Sequence, residues 1–440
     1  MYILFFIYSC IYTILIFPIF AIGAVWNKKM REGLFGRLSQ GTRIREFARA
    51  NRSKEIIFIH SSSVGEWEQS IPIIKALKQN NENIAVIASF FSPSGMRHAK
   101  KTDVDCAIYL PFDILPRAQW FFKTVKPAMW IISKYDVWAA FVYAAHRKKI
   151  PVYLCSAELA EDSTRYKGVG AVINRLFYKY IDIIFPVSEE YRERFLRIFP
   201  FPERLIVAGD ARYDQIITKA ETIQQRPSVQ IFTNPLEITI IAGSLWQADE
   251  KHFLPALFRT MRENENMQAI LVPHELHEAH VQSIEHECAQ AGFASSRYSQ
   301  FSKHDACNAR IAIIDTIGML ASLYNTTDIA FVGGAFSTGV HNVAEPAVFG
   351  NPVLFGPRYI NSHEAASMVK LHGGFCIHNE SECYEKLSQL IADEEFRRKT
   401  GAIAQQFIMA NKGATHVIVN TIYNYELKIT NYERRSPQRS

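Results

Sequence analysis

The first 27 residues of this 440-residue chain contain no charged side chain. Roughly 20 apolar residues suffice to cross a bilayer as a helix, so residues 1–27 are expected to form a transmembrane anchor. Positive charge ahead of the apolar run is missing too, which argues against a cleaved signal peptide. Cysteine is sparse. Seven are scattered at 10, 106, 155, 288, 307, 376 and 383, without a CxxC or a tight pair. That spacing excludes a disulfide framework and fits a reducing compartment. There is no Gly-x-Ser-x-Gly nucleophile elbow, no Walker A sequence, no GxGxxG fingerprint and no HExxH zinc motif.

Positive charge is present, but in one place. Residues 28–54 carry nine Lys/Arg and two Asp/Glu in a chain of net charge +6, so the remainder is close to neutral. A diffuse nucleic-acid-binding surface would not be confined in this way, and nucleic acid is not an expected partner. Lys28, Lys29, Arg31 and Arg37 follow the apolar run at once. Positive charge beside a span marks the cytoplasmic side and attracts anionic headgroups. The expected topology is therefore a single span in the inner membrane, with the body on the cytoplasmic face.

From residue 55 onward, short apolar runs alternate with helical patterns. Strands are expected at 55–60, 84–89, 106–110, 128–133, 151–156 and 182–187. After a polar stretch the pattern resumes at 238–243, 269–273, 309–315, 328–333, 352–356 and 375–378. Continuous apolar strands separated by helices predict parallel sheets covered on both faces. The fold class is α/β, with two doubly wound, Rossmann-like halves facing a cleft. Their expected limits are 55–214 and 236–425, with a linker at 215–235. Residues 395–425 read as helix, and 426–440, with Arg434, Arg435 and Arg439, read as a basic tail. Ligands in such sheets bind at the carboxyl ends of strands, so the loops there carry the candidates.

The stretch His60-Ser-Ser-Ser-Val-Gly-Glu66 follows the first strand. Ser63 and Glu66 fit a capping box before an apolar helix. The same place suits a carboxylate that takes a proton from an attacking hydroxyl, with Gly65 allowing close approach. The two roles are compatible in one residue. Near the other end, residues 331–357 contain a strand ending in Gly333-Gly334, a loop to Gly339 and His341, and a helix expected from Asn342. Such a loop is either a tight βα turn or a phosphate cradle at a helix N-terminus. Glu345, one turn into that helix, could bond ribose hydroxyls. Gly243 and Ser244 could hold phosphate, and His274 directly follows a strand. His277 and His280 read as surface residues of a helix rather than zinc ligands. Arg212, placed in a loop after an expected strand RLIVAG (204–209), could meet a phosphate or carboxylate. Asp136 and Trp138 follow the strand at 128–133, and Asp136 is the second catalytic candidate, next in line as the base after Glu66.

Taken together and in order, HSSSVGEWEQSIPII, KYDVW, GDARYD, VPHE, IDTIGMLASLY and VGGAFSTGVHNVAEPAVFGNPVLFGP are similar to the 3-deoxy-D-manno-octulosonic acid (Kdo) transferases of lipid A glycosylation. The resemblance runs from the N-terminal anchor to about residue 420. It implies the GT-B arrangement, a CMP-Kdo donor held by the C-terminal half, and a lipid A precursor acceptor reached from the membrane by the N-terminal half. By similarity Glu66 is the general base, and Gly243, Ser244, His274, Gly334, Asn342 and Glu345 fall at donor-binding positions. Many members have Glu-x-Glu where Lys134-Tyr135-Asp136 stands, and Pro-Arg-His where Pro273-His274-Glu275 stands. Both variants resemble a Bacteroidetes-like branch. No DxD pair stands where a metal–nucleotide site would need it, so neither metal nor cofactor is expected. A related nucleotide-sugar glycosyltransferase or epimerase would answer to UDP rather than CMP. A non-catalytic sugar-nucleotide binder would not depend on Glu66.

Overall fold

The computed structural model describes residues 2–99, 104–301, 307–360 and 362–435. The chain divides into two compact units, Met1–Gln215 with Gly413–Ser440, and Ile216–Lys412. The first unit holds six strands: β1 (Glu55–Ser61), β2 (Ile84–Phe90), β3 (Cys106–Tyr109), β4 (Met129–Ser133), β5 (Val152–Ala157) and β6 (Ile183–Pro186). They pair in parallel in the order β3-β2-β1-β4-β5-β6. The two-residue period of a strand explains why the runs are apolar throughout. Ile56 and Phe58 enter the core on one face of the sheet, and Ile57 and Ile59 enter the core on the other.

The second unit repeats the plan with β7 (Ile238–Leu245), β8 (Met267–Pro273), β9 (Ser295–Arg297), β10 (Ile311–Ile313), β11 (Ile329–Val332), β12 (Val353–Phe355) and β13 (Gly374–Cys376). The order is β13-β12-β11-β7-β8-β10-β9, again with parallel pairs. β9 has no counterpart among the expected strands. Its sequence is Ser-Ser-Arg, and as an edge strand it needs no apolar run.

Three segments differ from expectation. RLIVAG forms only one isolated bridge, Leu205 to Ile184, so it is not a strand. Arg212 then lies in the first turn of the helix Ala211–Gln224, not in a loop. That helix covers the first half of the stretch expected to be a linker, and it buries Tyr213, Ile216, Ile217 and Ala220. At the other end, Gly413 at φ 115° separates the helix Glu394–Ala410 from the helix Ala414–Arg435. The latter returns to the first unit. Ala414, Ile418, Val419 and Ile422, at helical spacing, fill the core beside Ile57 and Tyr153. Asp214 accepts the N–H groups of Gly413 (2.7 Å) and Thr415 (2.6 Å) and so fixes the start of that helix. The helix reaches Arg435, and Arg439 of the expected tail lies outside the described residues.

The N-terminal region forms α1 (Tyr2–Trp26), α2 (Lys28–Ser39) and α3 (Gly41–Ala50). Phe5–Trp26 is long and apolar enough to cross a membrane. One face of α1 is packed on the first unit. Phe5 is fully buried and stacks on Tyr143 at 4.2 Å. Tyr8 donates its hydroxyl to Asp113 (2.8 Å), and Ser9 Oγ accepts the N–H of Leu115 (2.8 Å). Further along, Phe17 and Phe20 meet Phe112 edge-on.

Candidate functional site

Both sheets reverse direction beside their first strand. β1 lies between β2 and β4, and β7 lies between β8 and β11. The carboxyl ends at such a reversal form the crevice where α/β sheets take ligands. Each unit places its candidate residues there.

In the first unit the three serines after β1 have separate tasks. Ser61 is buried and bonds Ser70 Oγ (3.0 Å), tying β1 to α4 (Val64–Asn80). Ser62 donates its hydroxyl to Asp136. Ser63 is the N-cap of α4, its Oγ accepting the N–H of Glu66 at 3.4 Å. The return half of the box is displaced by one residue, because Glu66 Oε2 accepts the N–H of Ser62 at 2.6 Å. Glu66 is only 7% exposed. Burial pushes its pKa up from the ordinary glutamate value; the Ser62 N–H opposes this and the charge of Asp136 adds to it. A Cβ on Gly65 would meet nothing within 4 Å, so packing does not demand glycine there.

Asp136 follows β4, across the reversal from β1. Arg165 approaches it at 3.7 Å. His60 lies beneath this group and is fully buried. Trp138 Nε1, which can only donate, bonds His60 Nε2 at 2.9 Å. The ring proton therefore sits on Nδ1 and faces Ser89 Oγ at 2.8 Å. Burial lowers the His60 pKa to about 3. Arg212 is placed by Asp210, which accepts its backbone N–H (2.8 Å) and lies 3.9 Å from its Nε.

In the second unit, the end of β7 leads through Gly243 and Ser244 to Trp246. Gly243 is dictated by packing, since a Cβ would fall 2.0 Å from the hydroxyl of the buried Tyr324. Ser244 is held at φ 53°. Trp246 stacks on His274 at 4.2 Å and donates Nε1 to His341 Nε2 at 2.9 Å. His274 and His341 stack in turn at 4.6 Å. His341 is half-buried and His274 lies at the surface against the Trp246 ring; partial desolvation lowers the pKa of both rings, so the stack is uncharged at neutral pH.

The glycine loop is held from behind. Asp249 Oδ2 accepts the N–H of Gly334 (2.7 Å) and of Trp246 (3.1 Å), and Oδ1 accepts that of Phe336 (3.2 Å). Gly339 and His341 donate their N–H groups to Gly334 and Gly333 carbonyls. The expected cradle of free loop donors is thus largely committed within the loop. Gly334 itself is obligatory: φ is 95°, and a Cβ would lie 2.4 Å from Gly339 O. The helix expected from Asn342 is a single turn, Ala344–Ala347, ended before Gly350 at φ 84°, and Asn342 Oδ1 accepts the N–H of Ala344 (3.2 Å). Glu345 stands on that turn, paired with Lys219 at 3.1 Å.

His277 is exposed, but His280 is buried, bonding Glu250 at 2.5 Å. It faces inward because it sits one turn from the cap on the packed side with Val281 and Ile284. Sequence reasoning singled out neither Trp246 nor Asp249. A Trp-x-x-Asp pattern opening a helix was the only available signal, and it reads as a cap.

A family model for 3-deoxy-D-manno-octulosonic-acid transferase (kdotransferase) matches residues 35–215. The chain is 25% identical over 375 residues to the 3-deoxy-D-manno-octulosonic acid transferase of Haemophilus influenzae, covering 84% of this chain and 87% of that one. It is 26% identical over 343 residues to the transferase of that name from Aquifex aeolicus, covering 77% and 87%. In fold it is similar to UDP-GlcNAc 2-epimerase from Neisseria meningitidis, with a TM-score of 0.59 at 14% identity, covering 84% of this chain and all of that one.

Proposed function

We propose that this chain, which belongs to the 3-deoxy-D-manno-octulosonic acid (Kdo) transferase family, moves Kdo from CMP-Kdo to the lipid A precursor lipid IVA, with Glu66 as general base. The chain is a glycosyltransferase of lipopolysaccharide core synthesis. The observation that carries the proposal for Glu66 is its setting. A buried carboxylate of raised pKa stands at the carboxyl end of β1, at the sheet reversal, behind a glycine that leaves open space.

The acceptor hydroxyl gives its proton to Glu66 as its oxygen bonds the anomeric carbon of Kdo. The bond from that carbon to the CMP phosphate breaks, and CMP leaves. A raised pKa makes Glu66 a stronger base. Ser62 fixes it through its N–H while turning its hydroxyl to Asp136, so one residue orients both carboxylates. In the second unit the neutral Trp246–His274–His341 stack is a flat surface for the donor. Asn342 and Glu345 supply side-chain contacts, since Asp249 already takes loop N–H groups. Arg212 is the cation offered to an anionic group. α1 and the basic segment 28–54 keep the enzyme on the inner membrane, with its body on the cytoplasmic face.

The test is transfer of labelled Kdo from CMP-Kdo to lipid IVA by the purified chain, with CMP and UDP as competitors. Transfer inhibited by CMP and not by UDP is expected. Inhibition by UDP alone, or no transfer, contradicts the proposal.

A further inference from the structure

We propose that the first unit carries a second binding site, apart from the strand ends described above, that takes the phosphate of an anionic lipid headgroup. The lipid as source rests on the membrane residence proposed above; the site itself goes beyond it. A cavity lies where α2 gives way to α3, against the segment that leads from β3 into the helix Leu115–Val125. Its volume is about 240 Å³, below the roughly 300–1,000 Å³ of pockets for drug-sized ligands, so it suits one headgroup rather than a whole nucleotide. Arg37, Arg45 and Arg117 line it, with Gln40, Phe112 and Trp120. Among the described residues no acidic side chain lines the cavity, and none of the three arginines forms an ion pair.

Arg37 is the fixed point. It is 8% exposed, and its Nε, Nη1 and Nη2 donate to the carbonyls of Leu110 (3.0 Å), Gly33 (2.9 Å) and Phe91 (2.9 Å). The rings of Phe91 and Tyr109 lie 4.7 Å and 5.3 Å from its guanidinium carbon. Carbonyls and ring faces orient a buried cation but leave its charge unbalanced, which is costly without a counter-ion. A guanidinium has five N–H donors, so two of those on Arg37 remain for a ligand. Gln40, the one side-chain acceptor in the wall, is already used: its amide bonds the carbonyl (2.7 Å) and N–H (2.8 Å) of Tyr109. α3 also starts at Gly41, a lining residue, without a side-chain cap or an acid in its first turn, which adds partial positive charge. Clustered guanidinium groups without a carboxylate fit phosphate, whose oxygens take paired N–H bonds. Phe112 and Trp120 offer an apolar wall to the carbon atoms beside the phosphate. Free phosphate would leave that wall empty, and a headgroup covers it. α2 begins two residues past α1, which keeps the cavity close to the apolar segment.

The full chain in detergent is titrated with short-chain phosphatidylglycerol by calorimetry. Arg45 and Arg117 are exposed, so their replacement leaves the core alone. The pair Arg45→Gln and Arg117→Gln should weaken binding about tenfold with the melting temperature unchanged. The pair Lys29→Gln and Arg49→Gln removes equal charge from exposed positions that do not line the cavity, and should leave binding within about twofold of the parent. No binding of phosphatidylglycerol or inorganic phosphate by the parent chain overturns the site. Equal weakening by the two pairs overturns it too, since the attraction is then diffuse. Inorganic phosphate that binds where phosphatidylglycerol does not, and is lost in the cavity pair, overturns the lipid as source and upholds the anion site. The titration needs neither a bilayer nor CMP-Kdo, so its failure is distinct from failure of membrane binding or of transfer.

Discussion

The carboxylate of Glu66 accepts the N–H of Ser62 at 2.6 Å, one residue ahead of the cap residue Ser63. A helix start needs no such displacement. It holds Glu66 toward the strand end, within the field of Asp136, which bonds the hydroxyl of the same Ser62.

The pH dependence of transfer follows from that arrangement. The proposed base, Glu66, can take a proton only when ionised, and burial raises its pKa above the ordinary 4.5. Turnover should fall as pH drops through that raised value. Asp136→Asn removes a neighbouring negative charge, which lowers the Glu66 pKa, so the acid limb of the kcat profile should move to lower pH. A limb that stays in place, or moves up, contradicts the coupling.

His60 sets a pH dependence of stability. It remains neutral in the fold down to about 3, whereas in the unfolded chain it takes a proton near 6.5. Below 6.5 the unfolded state binds the extra proton, so stability falls as pH falls toward 3, by at most about 1.4 kcal/mol per pH unit. His60→Gln removes this component. Denaturant unfolding at two pH values between 4 and 6.5 should show a smaller pH difference in the variant than in the parent chain; equal differences count against the buried neutral ring.

Asp249 is the support of the glycine loop. Asp249→Ala leaves the N–H groups of Gly334, Phe336 and Trp246 without their acceptor. The Gly334 bond is buried and the other two are part-buried. At about 1–3 kcal/mol for a buried donor left unsatisfied, a loss of about 1–3 kcal/mol is expected from Gly334 alone, together with weaker CMP-Kdo binding by calorimetry. A variant of parental stability and affinity would mean that the loop holds its shape unaided.

The strands were legible because a sheet covered on both faces demands unbroken apolar runs, and Ile56 to Ile59 serve both cores. β9 was not, since an edge strand of Ser-Ser-Arg buries little. The helix Ala211–Gln224 hid behind polar composition, because only its buried side is apolar. The return of Ala414–Arg435 to the first unit depends on a partner, Asp214, about 200 residues away. In the site, Glu66 and Ser63 were readable from local spacing. Asp249 was not, because its role is defined by Gly334, 85 residues later, and Trp246 meets His341 only in the folded unit. His280 was misjudged because its partner Glu250 stands on another helix.

The most direct measurement is Kdo transfer by Glu66→Gln with its melting temperature. Glutamine can still accept the Ser62 N–H but cannot take a proton. The account predicts a kcat lower by about 10²–10⁴ with melting essentially unchanged. Near-parental turnover would reduce Glu66 to a helix cap and contradict the account.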